Sequence, residues 1–283
     1  MRTPIVLTVL SLASASFALP DGLVTFNDGT GGWEGSQGIG GVGTFVDENE
    51  GNPAPGLHTV FNDFGITFRN STNPEFVQDL SQVFGFAFGI DTKVNDIAFF
   101  GTPVPRPWLL ELRDFDAGPN SDQFASVWYK FADISAATHG EWTRFFVQVS
   151  ESDYGSMPAG WRGAGAEDPV TFEPMLPDGI TFADVIAGYD QIVVTTLEPG
   201  FFFGFTDFDV VVDDIALTVN TDIVSCNPAD LAEPFGVTDL ADIQCFIFSF
   251  TNGLELADFA APFGVLDLAD IQAFVQAFVN GCP

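Results

Sequence analysis

The end of this chain states one pattern twice. Asp230-Leu-Ala-Glu-Pro-Phe-Gly-Val-Thr-Asp239-Leu-Ala-Asp242-Ile-Gln returns as Asp258-Phe-Ala-Ala-Pro-Phe-Gly-Val-Leu-Asp267-Leu-Ala-Asp270-Ile-Gln, each matched pair 28 residues apart. A fixed period of this kind marks one supersecondary unit used twice. Each copy sets three carboxylates around a Pro-Phe-Gly turn and then runs into an apolar segment. Leu240, Ile243, Phe246, Ile247 and Phe250 fall at helical spacing, as do Leu268, Ile271, Phe274, Val275 and Phe278. Two helices this apolar on one face must pack on each other. The repeats therefore predict a small all-α paired loop-helix domain over residues 223–283.

The preceding residues, 21–220, follow a different rule. Short runs rich in β-formers lie between Gly, Pro, Asn and Asp clusters: Leu23–Phe26, Gly65–Arg69, Phe84–Ile90, Trp108–Phe115, Ser126–Phe131, Trp142–Ser150 and Gln191–Leu197. In Trp142–Ser150, Thr143, Phe145, Val147 and Val149 share one parity, while Arg144, Gln148 and Ser150 take the other. That is the period of a strand with one wet face. Many such strands predict a mainly β domain, an antiparallel β-sandwich of jelly-roll type, with one short helix at about Phe182–Ala187. In the last strand Phe208, Val210 and Val212 share one parity and Ile215, Leu217 and Val219 the other. The phase flips at Asp213-Asp214, as a β-bulge requires.

Charge excludes whole classes of partner. Eight Lys+Arg stand against 39 Asp+Glu, a net charge of −31, and no basic residue follows Arg162. Such a chain repels phosphate backbones and anionic membrane surfaces, which argues against nucleic acid. Either adaptation to salty surroundings or divalent-cation binding would account for the acidity. At the N-terminus, Arg2, the apolar run Ile5–Leu12 and small residues up to Ala18 have the order of a secretory signal over residues 1–18, and the run is too short to span a bilayer. No later segment is long and apolar enough to insert into a membrane. The expected location is extracellular, secreted or at the cell surface. Three cysteines in an exported chain imply one pair and one leftover. Cys226 and Cys282 bracket the repeats and are the expected disulfide, with Cys245 a buried thiol on the first helix.

The tail carboxylates admit two readings. Asp230, Asp239 and Asp242, with Asp258, Asp267 and Asp270, could supply calcium ligands around the turns at Gly236 and Gly264. The loop is one residue longer than an EF-type loop, and Phe235 and Phe263 stand where middle ligands would be. Alternatively, Asp239-Leu-Ala-Asp242 and its copy have the spacing of a helix N-cap followed by an acidic third residue.

From Cys226-Asn-Pro-Ala-Asp through both Pro-Phe-Gly-Val-x-Asp-Leu-Ala-Asp-Ile runs to Gly281-Cys282-Pro283, the tail resembles the C-terminal module of bacterial GC-type dockerin domain-anchored proteins. The resemblance covers roughly the last fifth of the chain. It implies a dockerin-like calcium module that plugs the protein into a cohesin-like extracellular partner. The sandwich's glycine-rich start, Phe26-Asn-Asp-Gly-Thr-Gly-Gly-Trp33, and its Val-Val-Asp213-Asp214-Ile-Ala-Leu end are similar to those of secreted jelly-roll carbohydrate-binding modules. That resemblance implies a calcium shared by the first and last strands, with Asp28 and Asp213 or Asp214 as ligands.

Five tryptophans could stack on sugar rings. Most sit within strands, and Trp161, in the Gly-flanked Pro158-Ala-Gly-Trp161 segment, is the expected exposed one. Catalysis finds little support. The two histidines, His58 and His139, lack metal-ligand spacing, and no Gly-x-Ser-x-Gly elbow occurs. Glu111 and Asp114 or Asp116 could form a glycosidase pair, but opposite parity sends Glu111 to the other face of its strand. Together these features predict a secreted, non-catalytic protein whose tail docks and whose sandwich displays a binding face for glycan. A dockerin-borne polysaccharide-active enzyme, or an architectural surface component with no small ligand, are the alternatives.

Overall fold

The computed structural model describes residues 21–118, 124–220, 227–229, 231, 238, 240–251, 257–260 and 265–281. The signal-like stretch 1–18, Asp230, Asp239, Cys226 and Cys282 lie outside the described residues. The strands are β1 (Gly22–Val24), β2 (Trp33–Glu34), β3 (Gly41–Asp47), β4 (Gly56–Asp63), β5 (Thr67–Asn70), β6 (Gly85–Phe99), β7 (Thr102–Pro103) and β8 (Arg106–Asp114). They continue as β9 (Ala125–Ile134), β10 (Thr143–Ser150), β11 (Trp161–Ala164), β12 (Ala166–Glu167), β13 (Pro174–Met175), β14 (Gln191–Thr195) and β15 (Thr206–Asn220). Among the described residues the α-helices are α1 (Ala136–His139), α2 (Phe182–Gly188), α3 (Leu240–Thr251) and α4 (Leu268–Asn280).

Two antiparallel sheets form the sandwich. The first runs β10-β6-β15-β4-β3, with β1 on β15 and β7 on β6; the second runs β11-β9-β8-β14-β5-β2. Their inner faces share one core, in which Phe68, Phe88, Trp108, Val127, Ile192 and Val210 are fully buried. Strand β10 buries Phe145, Val147 and Val149 and exposes Arg144, Phe146 and Gln148, so the alternation in the sequence is the alternation in space. The short helix forms as expected. Thr181 caps it, accepting from Asp184 N while the Asp184 carboxylate accepts from Thr181 N, a reciprocal capping box.

Strand β15 carries the bulge. Its pairing with β6 slips between Asp213 and Ala216, and Asp214 takes a positive φ of 45°. Phe208, Val210 and Val212 before the slip, and Ile215, Leu217 and Val219 after it, are all buried.

On the outer face of the first sheet, His58 of β4 lies between two carboxylates. Its Nδ1 is 2.9 Å from Asp47 Oδ2 of β3, and its Nε2 is 2.7 Å from Asp209 Oδ1 of β15. Both ring nitrogens must donate, which requires the imidazolium. Burial opposes that charge, but the Asp209 and Asp47 hydrogen bonds and the nearby Glu50 outweigh it and raise the His58 pKa. One protonated histidine thus ties three strands together.

The tail helices have their own small core, built from Ala229, Phe246, Ala257 and Phe274. These are two repeat-equivalent pairs, and the two phenylalanines stack at 4.0 Å with an 8° interplanar angle. The loop-to-helix tether is duplicated as well. Leu231 N donates to Asp242 Oδ1 at 2.6 Å, and its equivalent Phe259 N donates to Asp270 Oδ1 at 2.8 Å. Asp270 also accepts from Ala260 N and, through Oδ2, from Asp267 N, which completes a capping box at the start of α4. Asn227 Nδ2 donates to Gly281 O at 2.8 Å, closing the two ends of the module on each other.

Two pH dependences follow. His58 has its pKa raised above the ordinary 6.5, so its stabilising charge is complete below 6.5 and is lost as pH climbs through the folded-state value. Thermal unfolding midpoints between about pH 5 and about pH 9 should fall over that window, and His58→Gln should flatten the fall. Asp270 has its pKa lowered from 3.8, first by the Asp267 amide and also by the Ala260 and Phe259 amides. Its contribution is present above 3.8 and disappears as pH drops through the folded value. Asp270→Asn should therefore reduce the far-UV helical signal at neutral pH and remove its acid-side titration.

Candidate binding cleft

The outer face of the second sheet points away from the shared core and carries a small buried cluster of its own, Leu109, Trp128 and Ala164. Residues directly opposite one another in antiparallel strands share a face. Ser126, Arg113 and Gln191 therefore form one row across β9, β8 and β14, and Trp128, Glu111 and Val193 form the next. Glu111 is buried, with only 2% of its surface exposed. Its Oε2 accepts from Arg113 Nη2 at 2.6 Å and Nε at 2.9 Å, and its Oε1 accepts from Ser126 Oγ at 2.7 Å. Arg113 Nη1 reaches Gln191 Oε1 at 3.2 Å, and Gln191 Nε2 donates to Ser71 Oγ at 2.9 Å. Each buried polar side chain in this network is paired, so the network is rigid rather than strained.

Above these rows lies an open cleft of about 760 Å³, lined by Glu111, Arg113, Phe124, Glu167, Pro174 and the Leu197–Gly200 segment, with Ala164–Ala166 between. Two glycines let its walls come together. Gly165, at φ +123°, brings the backbone against Phe124 O, and Gly200, at φ +76°, lies where any Cβ would collide with Pro174. The β12–β13 hairpin is closed by Asp168, whose carboxylate accepts from Val170 N and Thr171 N, both at 2.8 Å. Arg113 stacks over Phe124 at 5.0 Å, and Lys130 reaches Glu198 at 3.4 Å.

The sequence-derived candidates distribute unevenly around this site. Glu111 is at the cleft. Asp114 is on the opposite face, buried, where it accepts from Asp116 N and Ala117 N, so the structure does not unite the two as a carboxylate pair. Arg113 pairs with Glu111. Trp161 is not the exposed platform expected of a Gly-flanked loop. It begins β11, only 5% exposed, and its ring packs inward at 5.3 Å from Phe182 and 6.2 Å from Phe86. Pairing with Tyr129 of β9 fixes that orientation, because Tyr129 also faces the core. Trp33, Trp108 and Trp128 are buried as well.

Asp213 is fully buried, accepting from Asn52 N and Asp214 N. Burial raises the pKa of Asp213 and of Asp214, with Asp91 adding to both. Arg144 bridges Asp91 and the Asp214 carbonyl, at 3.0 and 2.6 Å. Asp28 sits exposed in the turn after β1. Among the described residues, which include Asp28, Asp213, Asp214, Asp242, Asp258, Asp267 and Asp270, no group of three or more His, Cys, Asp or Glu side chains is arranged to hold a metal ion. Asp267 and Asp270 serve as helix caps. Cys245 is a free thiol, half-buried, with Sγ 3.5 Å from Leu231 O.

Sequence reasoning missed Glu167 and Glu198 and the cleft itself. Its lining comes from five separate stretches of chain, and only Glu111 and Arg113 stood out, through their place on one strand.

No family model matches the chain. No curated protein matches it either. Among solved structures, it is similar to the C-terminal family 22 carbohydrate-binding module of a Clostridium thermocellum protein, at 10% identity over 71% of this chain and 95% of that one, with a TM-score of 0.39. It is similar also to the family 30 carbohydrate-binding module of a cellulosomal cellulase of Clostridium thermocellum, at 14% identity over 72% and 100% of the two chains, TM-score 0.37. The L4b domain of human laminin alpha-2 overlaps it at 13% identity over 71% and 98%, TM-score 0.38. Superpositions this loose assign neither a family nor a ligand.

Proposed function

We propose that this is an extracellular, non-catalytic glycan-binding protein. Its sandwich, of jelly-roll type, holds an uncharged saccharide in the cleft, and its dockerin-like tail docks it to a cohesin-like extracellular partner. The observation that carries the reading is the cleft floor: a buried, fully paired Glu111–Arg113–Gln191–Ser126 network beneath apolar walls. Its volume falls within the roughly 300–1,000 Å³ of small-molecule sites. The Arg113 guanidinium has more N–H groups than Glu111 and Gln191 occupy, and it offers the remaining donors to sugar hydroxyls. Leu197, Pro199, Pro174 and Phe124 offer apolar surface to the C–H faces. Glu111, Glu167 and Glu198, within a chain of net charge −31, select against anionic sugars.

The three glutamates around one cleft are the observation that favours a hydrolase instead. Against it, both oxygens of Glu111 are engaged by Arg113 and Ser126, and Glu198 is paired with Lys130. A general acid or base needs a free oxygen facing substrate. Support for a docking tail comes from its surface. Leu240 and its equivalent Leu268 are both exposed, as are Ile247 and its equivalent Val275, so the two copies present matching apolar positions. Asn227 and Gly281, joined by a hydrogen bond, are the chain neighbours of Cys226 and Cys282, which supports a bridge between those cysteines.

Two measurements test this reading. Calorimetric titration with a panel of neutral oligosaccharides should show binding. Arg113→Lys, which keeps the charge but loses the planar fork, should weaken that binding about tenfold or more. No binding by the folded protein, or hydrolysis of a bound sugar that stops in Glu111→Gln, would overturn it. Peptide mapping without reductant should recover Cys226 linked to Cys282 and Cys245 as a thiol. A bridge that includes Cys245 would refute the pairing.

A further inference from the structure

The cleft wall does not end at Gly200. The next residues, Phe201-Phe-Phe-Gly-Phe205, lead into β15, and three of their rings are exposed: Phe201 at 62%, Phe202 at 75% and, at the start of the strand, Phe205 at 52%. Large apolar groups this exposed and this close together mark an interaction surface. A turn closed by Phe201 N donating to Glu198 O at 3.0 Å sets Phe201 immediately beyond the cleft-lining Pro199 and Gly200.

Phe201 and Phe202 are both braced from behind. Phe201 packs on Phe203 with centroids 4.7 Å apart, and Phe203 lies 4.6 Å from the Arg106 guanidinium. Arg106 is itself anchored to Thr206 Oγ1 at 2.7 Å and Pro105 O at 2.8 Å. Phe202 packs on Phe64 at 4.8 Å, and Phe64 on Phe205 at 4.1 Å. A ring held on one side and open on the other is a preorganised platform, because little rotamer entropy remains to be lost on contact.

We propose that Phe201 and Phe202 extend the cleft as stacking positions, so that its ligand is a polysaccharide chain rather than a mono- or disaccharide. This rests on the glycan reading of the cleft. The occupant follows from continuity and charge. The platform adjoins the cleft wall, and it carries no polar atom of its own. The negative face of each ring suits the slightly positive axial C–H bonds of a pyranose. The surrounding acidic surface, with Glu198, Asp207 and Asp63 near the loop in sequence or pairing, gives an anionic chain no purchase.

The test titrates the full chain and a Phe201→Ser/Phe202→Ser double variant with matched disaccharides and hexasaccharides of the neutral gluco-, xylo- and galacto- series. The two rings are exposed, so the variant should keep the near-UV spectrum of the parent. The parent should bind its preferred hexasaccharide roughly tenfold tighter than the disaccharide. The double variant should bind both alike, with disaccharide affinity unchanged. Equal affinity for both lengths in the parent, or a variant that keeps the length preference, would overturn the platform while leaving the cleft reading intact. Absence of binding to every sugar would overturn the cleft reading and the platform with it. Zwitterionic phosphatidylcholine vesicles form a further arm: vesicle binding lost in the double variant, with hexasaccharide affinity unaltered, would overturn the platform in favour of a lipid surface.

Discussion

Strand β15 is the constraint on which the sandwich depends. It hydrogen-bonds to β6 along one side and to β4 and β1 along the other, so its register sets how those three strands stand against one another. A one-residue slip moves every side chain of a strand to the opposite face. The bulge at Asp213–Ala216 is therefore not a local irregularity. It converts two apolar runs of opposite parity into one continuous inner face. The buried Asp213 carboxylate holds it by accepting from Asn52 N and Asp214 N, and the energetic cost of burying that carboxylate shows in its raised pKa.

With the first sheet fixed in this way, its outer face is given over to acidic and structural groups, and the second sheet's outer face is left for the cleft. The scarce cations are distributed accordingly. Arg69, Lys93, Arg113, Lys130 and Arg144 each meet a carboxylate, and Arg106 and Arg162 each lie against an aromatic ring. In a chain of net charge −31, each of these placements neutralises or orders one site and leaves the rest of the acidic surface uncompensated. His58 adds a further cation, one that exists only while Asp47 and Asp209 hold it protonated.

Where the sequence was legible, the controlling rule was local. Alternation in β10, the short helix α2, the parity switch at Asp213-Asp214 and the opposite faces of Glu111 and Asp114 are all consequences of local pattern within one segment. Trp161 was misread because a Gly-flanked loop and a short edge strand look alike until the partner strand is known. Its burial comes from pairing with β9, a segment some thirty residues away along the chain. The cleft was illegible for the same reason. Glu167, Glu198 and Phe124 acquire meaning only when two loops arch over a sheet face, and no period within any one segment encodes that meeting. The Phe201–Phe205 run acquires its braces only from Arg106 and Phe64, which lie in other segments.

The tail shows how one set of carboxylates lends itself to two readings. A cation and a helix N-terminus present the same demand, a carboxylate oxygen facing positive charge. In the second copy three amides meet that demand: Phe259 N and Ala260 N on Oδ1 of Asp270, and Asp267 N on Oδ2, each at 2.8 Å. The Leu231–Asp242 bond repeats the first of these in the other copy, at the same sequence separation. The duplicated tether and the stacking of Phe246 on its repeat equivalent Phe274 give the two copies a common helix entry and a common core.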